Sequence, residues 1–75
     1  MELYIFKIQG ENKYVHVSTK TLKVRRTKNI NDASWWFTKK NARSWESSIK
    51  EKFPSAEIIP VDLLTFTEIK FQQVK

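Results

Sequence analysis

Six cations, Lys13, Lys20, Lys23, Arg25, Arg26 and Lys28, fall between Asn12 and Asn31 with no acid among them. The remainder of the chain carries eight bases and eight acids, so the whole formal charge of +6 is held in that one stretch. Cations concentrated on one element do non-covalent work: they steer and hold an anionic partner, and phosphate groups above all. Lys23 and Arg25 stand two residues apart, which places both on one face of a strand. Lys20, Arg26 and Lys28 flank them, so phosphates lying along a groove can be met by several cations at once. The same residues also suit a solvated face or a protected sheet edge. Trp35 and Trp36 follow directly. Neighbours in an extended chain point to opposite faces, and a thin domain can hardly bury both rings. One ring is therefore expected to be at least partly exposed, able to stack on a nucleobase or to anchor a protein interface; the alternative is that one ring caps the end of the core and the other covers the helix start. Lys39, Lys40 and Arg43 come next, in the first turns of a helix, where cations oppose the helix dipole unless an anion is met there.

Covalent chemistry has no comparable support. His16 and Ser18 share a strand face, yet no acid adjoins to orient the imidazole and no glycine-lined turn offers an oxyanion hole. Glu57, Asp62 and Glu68 are scattered along the terminal segments rather than paired. With no cysteine and one histidine, neither a disulfide framework nor a zinc site is expected, and no cofactor is implied. The chain reads as a binding protein and not as an enzyme.

The elements that carry these residues must be small. Seventy-five residues make one domain, which buries only about 60–65% of the surface its unfolded chain exposes. Ten aromatic residues are on hand to fill the core. Leu3–Gln9 alternates in the manner of a strand, Gly10-Glu11-Asn12 supplies turn chemistry, and Lys13–Thr19 resumes, which predicts a β-hairpin. Thr21–Lys28 places Leu22 and Val24 on one face and Thr21, Lys23, Arg25 and Thr27 on the other, the period of a half-buried strand. Ala33–Phe37 is expected to add a short extended segment before a helix. Thr38 caps that helix, Phe37 and Ala42 are placed as a hydrophobic staple, and Ala42, Trp45, Ile49 and Phe53 form its buried stripe. On the outer face Glu46 and Lys50 make an i, i+4 pair. Pro54 ends the helix. Ala56–Val61 and Leu63–Phe71 read as further strands, with Pro60 confining the first to an edge or a bend. The order is β-β-β-α-β-β, an α+β domain with one helix packed across a mainly antiparallel sheet. The amino terminus, with neither a basic leader nor a long apolar run, favours a cytoplasmic location and no membrane contact.

The run Trp36-Phe37-Thr38-Lys39-Lys40-Asn41-Ala42-Arg43-Ser44-Trp45, placed after basic strands, resembles the helix entry "FKTKKEAEAW" of the small three-stranded-sheet DNA-binding domains at the amino ends of tyrosine recombinases. That resemblance implies that strands matching Lys13–Lys28 face DNA, with Lys23, Arg25 and Arg26 as contacts. The glycine that precedes the entry aromatic in that family is replaced by Trp35-Trp36, and Phe53–Lys75 has no counterpart there. Over Tyr4–Val61 the chain is also similar to short accessory proteins of Gram-positive bacterial phages, in which a "YIFKI…NKYV" hairpin precedes "DA…FTKK.A..W…I…FP.AEI.PV". This second resemblance implies a mobile-element origin and an accessory role, including binding and disabling a host defence complex. The expected partner is accordingly nucleic acid or an acidic protein surface. A second copy pairing at a free sheet edge is a further possibility for a domain of this kind.

Overall fold

Strand β1 (Glu2–Ile8) is apolar in both directions of its pleat: Leu3 and Ile5 point one way, Phe6 and Ile8 the other, and all four are buried. A strand of that composition belongs in the middle of a sheet covered on both faces. The computed structural model, which describes residues 2–69, places it there. β2 (Lys13–Val17), β3 (Val24–Thr27) and β4 (Ala56–Asp62) complete a four-stranded sheet of order β3-β2-β1-β4 in which every pair is antiparallel. Between β3 and β4 come a 3₁₀ turn at Ile30–Asp32 and two short helices, α1 (Lys39–Arg43) and α2 (Glu46–Lys52). The protein is an α+β fold, as its sequence predicts.

One sheet face packs Phe6, Ile8, Val15, Val17 and Ala56 against Ala42, Ile49 and Phe53 of the helical segment. The other packs Leu3, Ile5 and Val61 against Ala33, Ile30 and Phe66. On that second face Lys7 reaches Glu68 at 2.9 Å, tying the chain beyond β4 back to the central strand. The hydrogen bond to Glu68 raises the Lys7 pKa above its ordinary 10.5. The core is mainly aliphatic rather than aromatic, because only Phe6 and Phe53 among the described aromatic residues are buried. Phe71 lies outside the described residues.

The β1–β2 hairpin forms as expected, with Gly10 (φ 86°) and Asn12 (φ 54°) taking the left-handed positions that their residue types tolerate. β1 and β2 pair directly only at Lys7–Tyr14 and Ile8–Lys13 and then part. The segment Ser34–Trp36 fills the gap. Its Ser34 N–H donates to the Val15 carbonyl (3.0 Å), the Val17 N–H donates to Ser34 Oγ (2.7 Å), and Trp36 exchanges two 2.9 Å backbone hydrogen bonds with Tyr4. The predicted extended segment is thus a wedge stitched to both strands.

Three expectations are corrected. β3 starts at Val24, not Thr21, because Ser18–Lys23 makes a tight loop in which Leu22 sits at φ 59° and 63% exposed instead of sharing a buried face with Val24. The helix is broken after Arg43: Ser44 and Trp45 donate their N–H groups three residues back, to Asn41 and Ala42, and Ser44 Oγ also donates to the Asn41 carbonyl at 2.6 Å. This tightened turn separates α1 from α2 without moving Ala42, Ile49 and Phe53 off the core. Thr38 does cap α1, accepting from the Asn41 N–H at 3.1 Å, but Phe37 lies exposed against Trp35 and does not staple the buried Ala42. Beyond β4, residues 63–65 form a turn, and Glu68 bridges back to Val61. The remainder of the predicted Leu63–Phe71 strand, from Lys70 on, falls outside the described residues.

The β2–β3 loop and the turn after β4 share one hydrogen-bond scheme. Ser18 accepts from the Leu22 N–H and donates to the Lys23 carbonyl, as Asp62 accepts from the Phe66 N–H and donates to the Thr67 carbonyl. Each loop has its fifth residue, Leu22 or Phe66, at positive φ. Phe66 is held by packing in the second core. Leu22 has no such support.

Candidate nucleic-acid interface

Alternation along β3 sends its two arginines to opposite faces of the sheet. Arg25 faces the 3₁₀ turn and binds Asp32 Oδ2 at 2.8 Å. Asp32 also accepts, through its main-chain carbonyl, a 2.7 Å hydrogen bond from His16 Nδ1, so the imidazole is oriented by backbone. The Arg25 hydrogen bond holds the Asp32 carboxyl below its ordinary 3.8. Arg26 points to the helical face, where its guanidinium lies 5.1 Å from the centre of the Phe53 ring and 3.3 Å from Glu11 Oε1. It covers the edge of the core. Glu11 and Asp32 are the residues that immediately bound the acid-free stretch, and each folds back onto one of its two arginines.

The lysines are left. Lys20, Lys23 and Lys28 are exposed, and no acid lies within ion-pairing distance of them among the described residues. Lys20 and Lys23 belong to the loop entering β3 and Lys28 follows its end, so the three bracket the outer strand. Lys39, Lys40 and Arg43 are also exposed and unpaired, but α1 packs over β1 and β4, away from β3. The ten predicted binding residues are therefore not one patch. Because the helix ends after Arg43, that residue sits at the carboxyl end of α1, where a cation is favoured and calls for no anion. Glu46 and Lys50 pair at 3.6 Å along α2, as their spacing predicts.

The two adjacent tryptophans divide as alternation requires. Trp36 turns toward the helical core, with its ring perpendicular to Phe6 (5.5 Å between centroids, 89°) and tilted against Trp45 (6.5 Å). Trp35 turns out and is 45% exposed, met edge-to-face by Phe37 at 4.9 Å and 81°. Beside it opens a groove of about 770 Å³, walled by Trp35, Trp36 and Trp45, with Leu22 and Lys20 from the β2–β3 loop and His16 from the strand. Sequence reasoning found Trp35 and Lys20 but missed Leu22, Phe37 and His16 as their neighbours. The one signal for Phe37 was its position two residues after Trp35, on the same side of an extended segment.

Both faces of the sheet are covered by core, so the basic strands do not form an open sheet face of the kind implied by the recombinase resemblance. The edges are partly closed as well. Lys52 Nζ donates to the outward Val24 carbonyl of β3 at 2.7 Å, and Ile69 N–H donates to the Pro60 carbonyl of β4 at 3.0 Å. Among the described residues no cluster of His, Asp and Glu is arranged to hold a metal ion, and no helix is long and apolar enough to cross a membrane. The chain matches no protein-family model, no curated protein and no solved structure.

Proposed function

We propose that this protein is a non-enzymatic binding module that holds nucleic acid through its phosphates, at the β3 edge and the groove beside it. One observation carries the proposal. Of the six cations in the acid-free stretch, the two arginines are engaged by the bordering acids, whereas Lys20, Lys23 and Lys28 stand exposed at the two ends of β3 with no ion-pair partner among the described residues, and Lys20 lines a groove that also exposes an indole. Unpaired, solvated lysines gain by releasing counterions from a phosphate chain and lose no internal partner in doing so. On this proposal the protein acts in the cytoplasm of a bacterial host as an accessory protein of phage type.

A second reading, an inhibitor that occupies an acidic protein surface of a host defence or nucleic-acid-processing protein, is favoured by the exposure of Leu22 and Phe37 near Trp35. Exposed apolar groups rimmed by charge are the usual anchors of such interfaces.

The test is a fluorescence-anisotropy titration of a labelled oligonucleotide with the wild type and with the triple variant Lys20→Gln, Lys23→Gln, Lys28→Gln. Removal of three phosphate contacts is expected to weaken binding about a hundredfold at 0.1 M salt, with the circular dichroism spectrum unchanged. Equal affinity in a folded triple variant sinks the proposal.

A further inference from the structure

Resting on the phosphate-binding proposal, we infer that the ligand is single-stranded and that one unpaired base seats against Trp35 in the groove. Four observations converge. A duplex needs a protruding helix or an open strand face to enter its groove; here core covers both sheet faces at β1, β2 and β4, and β3, whose Arg25 and Arg26 stay exposed, is only four residues long. The Trp35 ring is engaged by Phe37 alone among the aromatic residues, and a single edge-to-face contact occupies one face of the indole at most. With the residue 45% exposed, π-surface is left to receive a base.

Lys20 lies in the wall of the same groove, where a phosphate adjoining the seated base would meet its charge, and the one acid in that wall, Asp32, is already paired with Arg25. Leu22, in the same wall, is the fourth observation. A leucine at φ 59° is strained by its Cβ, and at 63% exposure it joins neither core cluster, unlike Phe66 in the matching turn. Its side chain is held out at the groove wall, beside the place where the base and sugar would lie. A strained, exposed apolar residue at a binding groove fits a ligand contact better than a structural role.

The experiment compares a labelled 15-nucleotide oligo(dT) with a duplex of the same length, using the wild type, Trp35→Ala and Trp35→Phe. The wild type is expected to bind the single strand at least tenfold more tightly than the duplex. Trp35→Ala is expected to lose about five- to hundredfold in single-strand affinity, the range for removal of one stacked base. Its salt dependence should stay unchanged, since no phosphate contact is lost, and Trp35→Phe should restore most of the affinity. Single-strand and duplex affinities that are equal and indifferent to Trp35→Ala overturn the base seat while leaving the phosphate proposal intact. Failure of the wild type to bind either form removes the phosphate proposal itself. If Trp35→Ala then abolishes capture of a nuclease-resistant protein partner, the groove serves an acidic protein surface instead.

Discussion

Adjacent tryptophans with opposite duties make a quantitative prediction. Trp36 is part of the core wall: its ring packs on Phe6 and Trp45, and its backbone joins the wedge to β1. Replacing a well-buried tryptophan by alanine costs about 3–5 kcal/mol, and because Trp36 is only partly buried the lower end applies, about 3 kcal/mol. Trp35 is half in solvent and loses chiefly its edge contact with Phe37, worth about 1 kcal/mol. A domain of this length has about 4–11 kcal/mol of total stability, and each kcal/mol moves its melting temperature by about 4–8 °C. Trp36→Ala should therefore lower Tm by about 12–24 °C and Trp35→Ala by no more than about 8 °C. Thermal unfolding followed by far-ultraviolet circular dichroism is the suitable assay, since the substitutions alter the intrinsic fluorescence. A Trp35→Ala variant as damaged as Trp36→Ala would show that the exposed ring is structural, and Trp35 would be lost as a binding residue.

Three further outcomes follow from particular contacts. Asp32 has its carboxyl pKa depressed by the hydrogen bond from Arg25, so its contribution to stability is present above the unfolded value of 3.8 and fades as pH falls through the lower folded value; carboxyl titration by NMR should find it below 3.8 and returned toward 3.8 in Arg25→Ala, and an unmoved value in that variant would deny the ion pair. Thr38→Ala should cost about 1 kcal/mol by leaving the Asn41 N–H without its cap, with Thr38→Ser largely neutral, as read by urea midpoints. Leu22→Asn should leave stability unchanged or raise it by about 1 kcal/mol, because asparagine accepts positive φ more readily, while oligonucleotide affinity falls. A loss of stability on the scale of a core substitution would mean that Leu22 is packed.

What the sequence disclosed and what it hid have separate physical causes. The hairpin was legible because Gly10 and Asn12 are residues that enter left-handed backbone cheaply, and the helical stripe because Ala42, Ile49 and Phe53 keep a helical spacing across the break. The break itself depends on Ser44 competing for the Asn41 carbonyl, which residue type alone does not announce. The wedge of Ser34–Trp36 between β1 and β2 is a long-range pairing with no local signature, although the extended character of the segment was visible. The expected gathering of unpaired cations is incomplete for a simpler reason. An acid-free window says nothing of acids at its borders, and Glu11 and Asp32 fold inward to claim Arg26 and Arg25. Burial of the second sheet face follows from Leu3 and Ile5, whose cover, Ala33, Ile30 and Phe66, comes from segments distant in sequence.

The salt dependence of oligonucleotide binding tests the central claim most directly. For single-stranded ligands the slope of log affinity against log salt is about −0.7 per phosphate contact. If Lys20, Lys23 and Lys28 each hold a phosphate, the wild-type slope should be steeper than −2, and the slope of the triple glutamine variant shallower by about 2. A wild-type slope near zero, or one that the three substitutions leave in place, would contradict an account in which these unpaired lysines grip a nucleic-acid chain.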